Sequence, residues 1–322
     1  MRNQYSLKYG LLLIVVIIIS VGFIKTPHPK TLPVEAHPFI VVLGTTQDGG
    51  YPHAGCKKEC CQKYYEGKEP RHYVSCLGLV DPTTNQCWLV DCTPDFTLQL
   101  HELDSIYPVA GLGINGILLT HAHIGHYTGL MYLGREAMNT KNVPVYAMPR
   151  MRDFLEKNGP WSQLVHLKNI EIYNLANDST IYLNDRIWIT PFTVPHRDEY
   201  SETVGFRIST KDRNIIFIPD IDKWQKWNQD ILKVVQKNDL LFIDGTFFKE
   251  GELPGMKMQE VPHPFIEETM DLLSGLPDAE KEKVYFIHLN HTNPALTRDS
   301  AAIKEIEGKH FHIAKEMEKF DL

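Results

Sequence analysis

The chain has 322 residues, of which 43% are hydrophobic and 23% are charged, a composition typical of a globular protein with a substantial core. Its formal net charge is -7, and its lysines and arginines are scattered among the acids. This balance excludes a basic stripe of the kind that binds phosphate backbones, so no nucleic-acid partner is expected. Length alone leaves one or two domains open.

The N-terminus differs from the rest of the chain. Arg2 and Lys8 precede an apolar run at 11–24, and a proline-rich stretch follows it. The run is at the short end for a membrane-spanning helix, which needs about 20 residues. We interpret residues 1–30 as an uncleaved signal anchor, with a cleaved signal peptide or a buried core helix as alternatives. The remainder of the chain is then expected to be periplasmic or extracytoplasmic, either anchored to the membrane or, after cleavage, secreted.

From residue 38 onward the periodicity predicts a mixed domain of strands and helices. Short β-rich apolar runs predict strands at 38–43, 75–80, 86–91, 114–119, 143–147, 186–194, 203–209, 214–218, 239–243 and 283–289. Amphipathic segments predict helices at 95–105, 126–138, 150–157, 229–236, 264–273 and 300–306. No repeat or long linker divides this region, so one domain is predicted over 38–322.

Residues capable of metal binding follow the predicted strands. His121, His123 and His126 come directly after the strand at 114–119, where the chain turns and three imidazoles can converge on one point. Four later predicted strands also have a residue with an imidazole or a carboxylate at or just after their carboxyl ends, namely His196, Asp220, Asp244 and His288. A single histidine at a strand end is more often a structural residue. The recurrence of such residues along one domain favours a metal site.

The order of these residues resembles the metallo-β-lactamase superfamily. The signature of that family is H-x-H-x-D-H, followed by a distant His, an Asp and a last His. The corresponding places here are taken by His121, His123, His126, His196, Asp220 and His288. The resemblance implies an α+β fold, a four-layered αβ/βα sandwich with a metal site at one edge of two sheets, preceded here by the N-terminal anchor helix. Segments 43–52 and 286–294 look like coenzyme PQQ synthesis protein B and its relatives.

The resemblance also implies two metal positions bridged by Asp220. The first metal position would be held by three imidazoles, those of His121, His123 and His196. The second would be held by His126, His288 and the aspartate of the signature, but Gly125 stands where that aspartate belongs, so we expect a carboxylate to be missing. His291 could supply a further ligand or contact the substrate. One or two zinc ions are the expected cofactor, with iron or manganese as the alternative.

A metal-dependent hydrolase is the function that the resemblance implies, with activated water attacking an ester, lactone, amide or phosphodiester of a small molecule. Asp220 would contact metal and water, and Asp244 could orient a ligand or move a proton, or only cap a turn. Loop residues that could contact the substrate are Tyr51, His53, Arg197 and Tyr200. Two alternatives remain open: a non-haem iron oxygenase or hydroxylase, as the PQQ branch implies, and a non-catalytic binding or carrier protein with a degenerate site.

Three cysteines cluster in the loop after the first predicted strand, namely Cys56, Cys60 and Cys61. In relatives such as the cyclic phosphodiesterase of phosphonate breakdown, a structural zinc is bound here by a C-x-C-x-x-C pattern, from which this spacing differs. A zinc site with His53 or His72 as a further ligand is one interpretation, and disulfides in an exported protein are the other. The remaining cysteines lie in or beside apolar strands and are predicted to be buried.

Overall fold

Two seven-stranded β-sheets form the frame of the protein in the computed structural model, which describes residues 37–107, 113–298 and 300–322. The first sheet contains β1 (Phe39–Gly44), β2 (Cys76–Asp81), β3 (Gln86–Val90), β4 (Gly116–Leu118), β5 (Val143–Ala147) and β6 (Ile170–Asn174). The second contains β7 (Ile181–Tyr182), β8 (Trp188–Thr193), β9 (Val204–Ser209), β10 (Asn214–Ile218), β11 (Leu240–Asp244), β12 (Val284–Ile287) and β13 (His312–Ile313). The last strand, β14 (Lys319–Asp321), returns to the first sheet and pairs with β1.

The α-helices lie in the connections between these strands. In the part of the chain that the structure describes they are α1 (Glu59–Tyr65), α2 (Phe96–Ile106), α3 (Ile124–Tyr127), α4 (Pro149–Lys157), α5 (Trp161–His166), α6 (Ile231–Lys237), α7 (Ile266–Leu272), α8 (Asp278–Lys281) and α9 (Ala301–Gly308). Short 3-10 helices occur at Thr128–Leu133, Trp224–Lys226, Met258–Glu260 and Pro294–Leu296. Apolar residues of α2, α4 and α5 pack on the first sheet, and those of α6, α7 and α9 pack on the second.

Strands β1, β2, β10 and β11 are buried on both faces, which explains their almost uninterrupted apolar sequences. In β1, Ile40 and Val42 pack in the cluster between the two sheets, whereas Val41 and Leu43 pack in the cluster under the helices. This alternation follows from the two-residue period of a strand. Phe217 of β10 lies in the same inter-sheet cluster and is fully buried. The layers therefore run helices, sheet, sheet, helices, as the predicted αβ/βα sandwich requires.

The strand directions bring several loops to one edge of each sheet. In the first sheet β3 is parallel to β4, and β1 runs the same way because both β1 and β3 are antiparallel to β2. In the second sheet β10, β11 and β12 are parallel, and β8 runs with them because β8 and β10 are both antiparallel to β9. The loops that leave the carboxyl ends of these strands carry the candidate site residues.

All of the predicted strands occur, with ends within two residues of the expected ones, and those at 143–147 and 214–218 match fully. Four short strands were missed, namely β6, β7, β13 and β14. The helix predicted at 126–138 is replaced by the one-turn α3 and the 3-10 helix Thr128–Leu133. The one-turn helix α3 contains His126, whose side chain lies near Asp220.

The predicted membrane location needs correction. None of the helices in the described ranges has the length and apolar character needed to cross a bilayer. The prediction of a membrane-anchored or secreted protein with a periplasmic or extracytoplasmic domain is therefore withdrawn, since no described helix supports it. The apolar run at 11–24 and the anchor predicted at 1–30 lie outside the described residues.

The inter-sheet cluster should dominate the stability of the domain. We expect Phe217→Ala to lower the free energy of unfolding by about 3–5 kcal/mol, because it leaves a cavity between the sheets. Urea unfolding followed by circular dichroism measures this change. The matched control is Tyr182→Ala, at a ring that is 74% exposed, which should cost less than about 0.5 kcal/mol. Equal costs for the two variants would contradict the assignment of the core.

Candidate metal centre

The predicted ligands meet in one pocket at the carboxyl ends of the strands. The loop after β4 carries three of them, and single ligands follow β8, β10 and β12. The residues are, in that order, His121, His123, His126, His196, Asp220 and His288. The first three belong to the first sheet and the last three to the second. The pocket is therefore built across the two sheets.

The first metal position brings three imidazoles around one carboxylate. The Nε2 atoms of His121 and His196 lie 3.3 and 3.2 Å from Asp220 oxygens, and the Nδ1 atom of His123 lies 3.7 Å from Asp220 Oδ2. One ligand atom from each of the four residues lies within 4.8 Å of the others. This set of three imidazoles and a carboxylate suits zinc.

The second metal position lies beside the first and shares Asp220 with it. The Nε2 atoms of His126 and His288 lie 3.9 and 3.8 Å from Asp220 Oδ2. Asp48, from the turn after β1, places its Oδ1 atom 3.3 Å from His126 Nε2. Ligand atoms of Asp48, His126 and His288 lie within 4.8 Å of one another. Asp220 therefore faces both positions.

The ligand atoms in the pocket are buried and lack hydrogen-bond partners. They are Asp48 Oδ1, His121 Nε2, His123 Nδ1, His126 Nε2, both ring nitrogens of His196, Asp220 Oδ1 and His288 Nε2. Each unpaired buried polar atom costs about 1–3 kcal/mol. A cation at each position would pair with these atoms, so the residues present fit bound metal ions.

Hydrogen bonds on the far side of the imidazoles fix their orientation. His126 Nδ1 lies 2.7 Å from Asp91 Oδ2, and Asp91 Oδ1 accepts from Thr120. His288 Nδ1 lies 3.0 Å from the hydroxyl of Thr246. With Nδ1 occupied, each of these two rings presents Nε2 to the pocket. Such outer partners orient metal-ligating histidines in general.

The charges in the pocket are strongly coupled. Burial alone would raise the pKa of Asp220, but nearby imidazoles, first of all His196 and then His288, hold that pKa well below its usual range. Burial alone would lower the pKa of His126, but the carboxylates of Asp91 and Asp48 raise it well above its ordinary value. The carboxylates of Asp91 and Asp48 thus stabilise positive charge at His126.

A further buried histidine was missed in the sequence. His263, in the loop between β11 and α7, places Nδ1 2.9 Å from Asp244 Oδ2 and 3.2 Å from Asp220 Oδ1. Asp244 also accepts from the backbone N–H groups of Ile221 and Thr246. These three side chains could in principle hold a cation, but the bonds already made by Asp244 favour a role in positioning. No periodicity in the sequence marks His263.

Asp48 was also missed as a site residue, although it lies in the glycine-rich segment 43–52. The sequence predicted that the second metal position lacks a carboxylate. The pocket does contain one there, because Asp48 in the turn after β1 lies beside His126 and His288. His291, which could have filled that gap, does not join His126 and His288. The sequence signal for Asp48 was a polar residue in a tight turn at the carboxyl end of β1.

His291 belongs to the cysteine cluster, which we define as Cys56, Cys60, Cys61 and His291. Its Nδ1 atom lies 3.7 Å from Cys60 Sγ and 3.4 Å from Cys61 Sγ, and all four ligand atoms lie within 4.8 Å of one another. All six cysteines are free thiols, in contrast to the disulfide alternative. Three sulfurs and one imidazole form a closed tetrahedral zinc ligand set.

The predicted further ligands of this cluster, His53 and His72, need correction. The His53 ring stacks on His291, with ring centroids 4.4 Å apart, and the His53 backbone N–H donates to Cys61 Sγ. His72 places Nδ1 3.6 Å from Glu316 and does not contact the sulfurs. His53 therefore supports the cluster from outside, and His291 takes the fourth place.

One loop borders the mouth of the pocket. It follows His196 and carries Arg197, Glu199 and Tyr200, all exposed. Glu199 Oε2 lies 3.6 Å from His123 Nε2, and the Tyr200 ring lies 5.5 Å from that of Phe154. Arg197 forms no ion pair with any residue in the described parts of the chain. A cation and an aromatic ring are therefore available where a substrate would enter.

Comparisons with known proteins agree with this geometry. The family model for the Beta-lactamase superfamily domain matches residues 88–289. Coenzyme PQQ synthesis protein B of Xanthomonas campestris pv. campestris (strain B100) is 24% identical over 284 residues, covering 81% of this chain and 92% of the relative. The protein of the same name from Methylococcus capsulatus is 24% identical over 303 residues, covering 85% and 97%.

Solved structures share the fold. The crystal structure of Zn²⁺-bound PqqB from Methylobacterium extorquens superposes with a TM-score of 0.75 at 22% identity, covering 88% of this chain and 100% of that one. A diphosphatase from the PhnP family gives a TM-score of 0.62 at 19% identity, covering 89% and 97%. The chain therefore belongs to the beta-lactamase superfamily, with the metallo-β-lactamase fold, in a branch similar to coenzyme PQQ synthesis protein B.

Proposed function

We propose that residues 38–322 form a metal-dependent hydrolase domain that acts on an ester, lactone, amide or phosphodiester bond of a small molecule. One observation carries the proposal: unpaired, buried ligand atoms surround Asp220 from two sides. The fold is shared with a diphosphatase, and the Zn²⁺-bound relative shows that the fold accommodates zinc. Zinc is the cation we propose, with iron or manganese as alternatives.

In this proposal the first metal position is held by His121, His123, His196 and Asp220, and the second by His126 and His288 with Asp220 between them. A bound divalent cation supplies Lewis acidity and lowers the pKa of water towards about 7. Asp220 Oδ2 lies within 4 Å of histidine nitrogens from both positions, and Asp220 Oδ1 lies 3.2 Å from His196 Nε2, so this one carboxylate would contact a cation at either position. The residues on the far side of His126 and His288 keep the Nε2 lone pairs of these two rings directed into the pocket.

We propose that His263 transfers a proton during the reaction and that Asp244 positions the His263 ring. Asp244 accepts from two backbone N–H groups and holds His263 Nδ1 at 2.9 Å. Because Nδ1 is committed to carboxylates, only Nε2 of His263 remains for a substrate. A proton held there could pass to a leaving group, which is a common role of buried histidines in hydrolases. Asp244 thus acts through His263 as a positioning residue, in addition to capping the turn after β11.

A second candidate function is a non-haem iron oxygenase or hydroxylase. Asp48, His126 and His288 form a set of two imidazoles and one carboxylate, the ligand type of many non-haem iron centres. Similarity to coenzyme PQQ synthesis protein B supports this alternative. The first metal position, with three imidazoles, favours the hydrolase.

Metal content and oxygen dependence test the hydrolase proposal. We expect protein purified anaerobically without chelators to contain zinc and to hydrolyse phosphodiesters or lactones without oxygen. His196→Ala should remove metal from the first metal position and lower kcat/KM at least about a thousandfold, because metal activation is worth several kcal/mol. Elemental analysis and anaerobic assays measure both effects.

The control for this test is His310→Ala, at a partly exposed histidine paired with Glu282, which should keep metal and activity. Turnover that requires oxygen, in iron-containing protein, would favour the oxygenase. Protein without metal in the pocket would contradict both candidate functions.

The cysteine cluster is proposed to hold a structural zinc. We expect Cys61→Ser to lose about one equivalent of zinc and to unfold at a lower temperature, because zinc binding contributes to folding. Elemental analysis and differential scanning calorimetry test this. Cys87→Ser is the control, since this buried thiol packs in the core of the first sheet and its change should lower stability without releasing zinc. Full zinc content in Cys61→Ser would contradict the proposal.

Arg197 is proposed to bind an anionic group of the substrate. It is exposed, follows His196 directly and has no ion-pair partner among the described residues. We expect Arg197→Ala to raise KM about tenfold for a negatively charged substrate, the value of one charge-assisted hydrogen bond, with little change in kcat. Steady-state kinetics on charged and neutral esters measure this. Lys211→Ala, at an exposed lysine in the turn between β9 and β10, is the control. An equal effect on neutral esters would contradict the role.

A further inference from the structure

We infer that Asp48 supplies the carboxylate ligand of the second metal position, in place of the side chain that Gly125 lacks. The inference rests on the proposed function, and it assigns a ligand that the H-x-H-x-D-H signature would place elsewhere. The turn after β1, rather than the loop after β4, would then complete the pocket.

The space around Gly125 is the first observation. A Cβ atom added at Gly125 would lie 2.2 Å from Asp48 Oδ1 and 2.6 Å from Asp48 Cα. Real Cβ atoms do not approach other atoms this closely, so any side chain at 125 would displace Asp48. The Asp48 carboxylate therefore occupies the space in which the side chain of a residue at 125 would begin. The position of the Asp48 carboxylate therefore requires that residue 125 has no side chain.

The orientation of Asp48 is the second observation. Its Oδ2 atom accepts a hydrogen bond from Gln47 Nε2 at 3.2 Å, whereas its Oδ1 atom is buried without a partner. Oδ1 lies 3.3 Å from His126 Nε2. His126 Nδ1 is already bonded to Asp91, which leaves Nε2 facing the carboxylate. One oxygen of Asp48 is thus held in place and the other is free to bind a cation.

A simple ion pair between Asp48 and a protonated His126 is the competing interpretation. One proton on Nε2 would satisfy those two atoms. It would leave His288 Nε2, the third ligand atom of this group, buried without a partner. A cation within reach of Asp48, His126 and His288 pairs with all of their free atoms at once, and one ligand atom of each lies within 4.8 Å of the others. The cluster as a whole therefore favours a metal ion over a proton.

The turn that carries Asp48 is fixed on both sides. Gln47 N–H donates to Leu289 O, directly after His288, and Gly50 N–H donates back to Gln47 O. On the other side, a Cβ at Gly49 would meet the His53 ring at 2.4 Å, so the turn packs closely against His53. A short, anchored turn can present a carboxylate with the small positional freedom that a metal ligand requires.

The test is the stoichiometry and affinity of metal binding in Asp48→Asn. This isosteric change removes the charge and keeps the shape. We expect the variant to lose about one equivalent of metal from the pocket and to bind the second ion at least about 100-fold more weakly, since even outer partners of metal ligands contribute roughly 10–100-fold. Elemental analysis and titration of the apoprotein with Co²⁺, followed by its visible absorption, measure this without any activity assay.

A second variant, at Gly125, tests the same ligand by displacing the Asp48 carboxylate. Gly125→Ala keeps Asp48 but should push its carboxylate out of place, because the added methyl group would overlap it. We expect the same loss of one metal equivalent. Two controls should keep the full complement: Asp198→Asn, at an exposed acid that pairs with Arg150, and Gly275→Ala, where an added Cβ meets nothing within 4 Å.

The outcomes separate this inference from the proposed function. If Asp48→Asn and Gly125→Ala both retain two ions in the pocket with unchanged affinity, the inference is overturned and the hydrolase proposal stands. If the unaltered protein binds a single ion that His196→Ala removes, the second metal position is overturned while the first remains. If the unaltered protein binds no ion in the pocket, both are overturned. Loss of one equivalent in both variants, with folded protein by circular dichroism, supports the inference.

Discussion

The Asp220 carboxylate is the group around which the candidate site is organised. It is only 2% exposed, and imidazoles from both sheets lie within 4 Å of its oxygens. A buried carboxylate is tolerated when positive charge and hydrogen bonds surround it. The two sheets meet at this edge through Asp220, in the loop after β10, and the histidines after β4. Correct packing of one sheet on the other is therefore a condition for assembling the pocket, which ties the inter-sheet core to the chemistry.

The backbone at two of the pocket's polar residues is held in an unusual conformation. Asp91 has φ of 68° and His288 has φ of 66°, both in the left-handed region that non-glycine residues seldom adopt. Such residues cost about 1–3 kcal/mol each and persist where surrounding contacts fix them. Here the contacts are hydrogen bonds. The Asp91 carboxylate accepts from Thr120 and bonds to His126 Nδ1, and His288 Nδ1 bonds to the hydroxyl of Thr246. The strain lies at the ends of β3 and β12, where side chains turn from the core into the pocket.

The parts of the fold and site that the sequence predicted are those with a strong local signal. Strands buried on both faces, such as β1 and β10, have continuous apolar runs, and the close spacing of His121, His123 and His126 marks a metal site without any knowledge of distant residues. Short edge strands such as β7 and β13 have two residues each, too few to show a period.

The missed site residues depend on contacts between distant segments. Asp48 and His126 are far apart in sequence, and only the folded first sheet brings them together. Gly125 was misleading because a missing side chain was read as a missing ligand, whereas it opens the space that another segment fills. His263 and His291 lie in loops whose paths are set by the packing of the second sheet.

The turn that carries Asp48 also has consequences for the cysteine cluster. Asp48 reaches the pocket on one side of this turn, and His53 on the other side stacks on His291 of the cluster. The chain from His288 to His291 joins the same two places a second time, over three residues. Two short tethers thus couple the pocket to the thiols mechanically. The residues that hold the cysteine cluster and the residues that hold the pocket therefore lie on the same short segments, so the position of either group depends on the other.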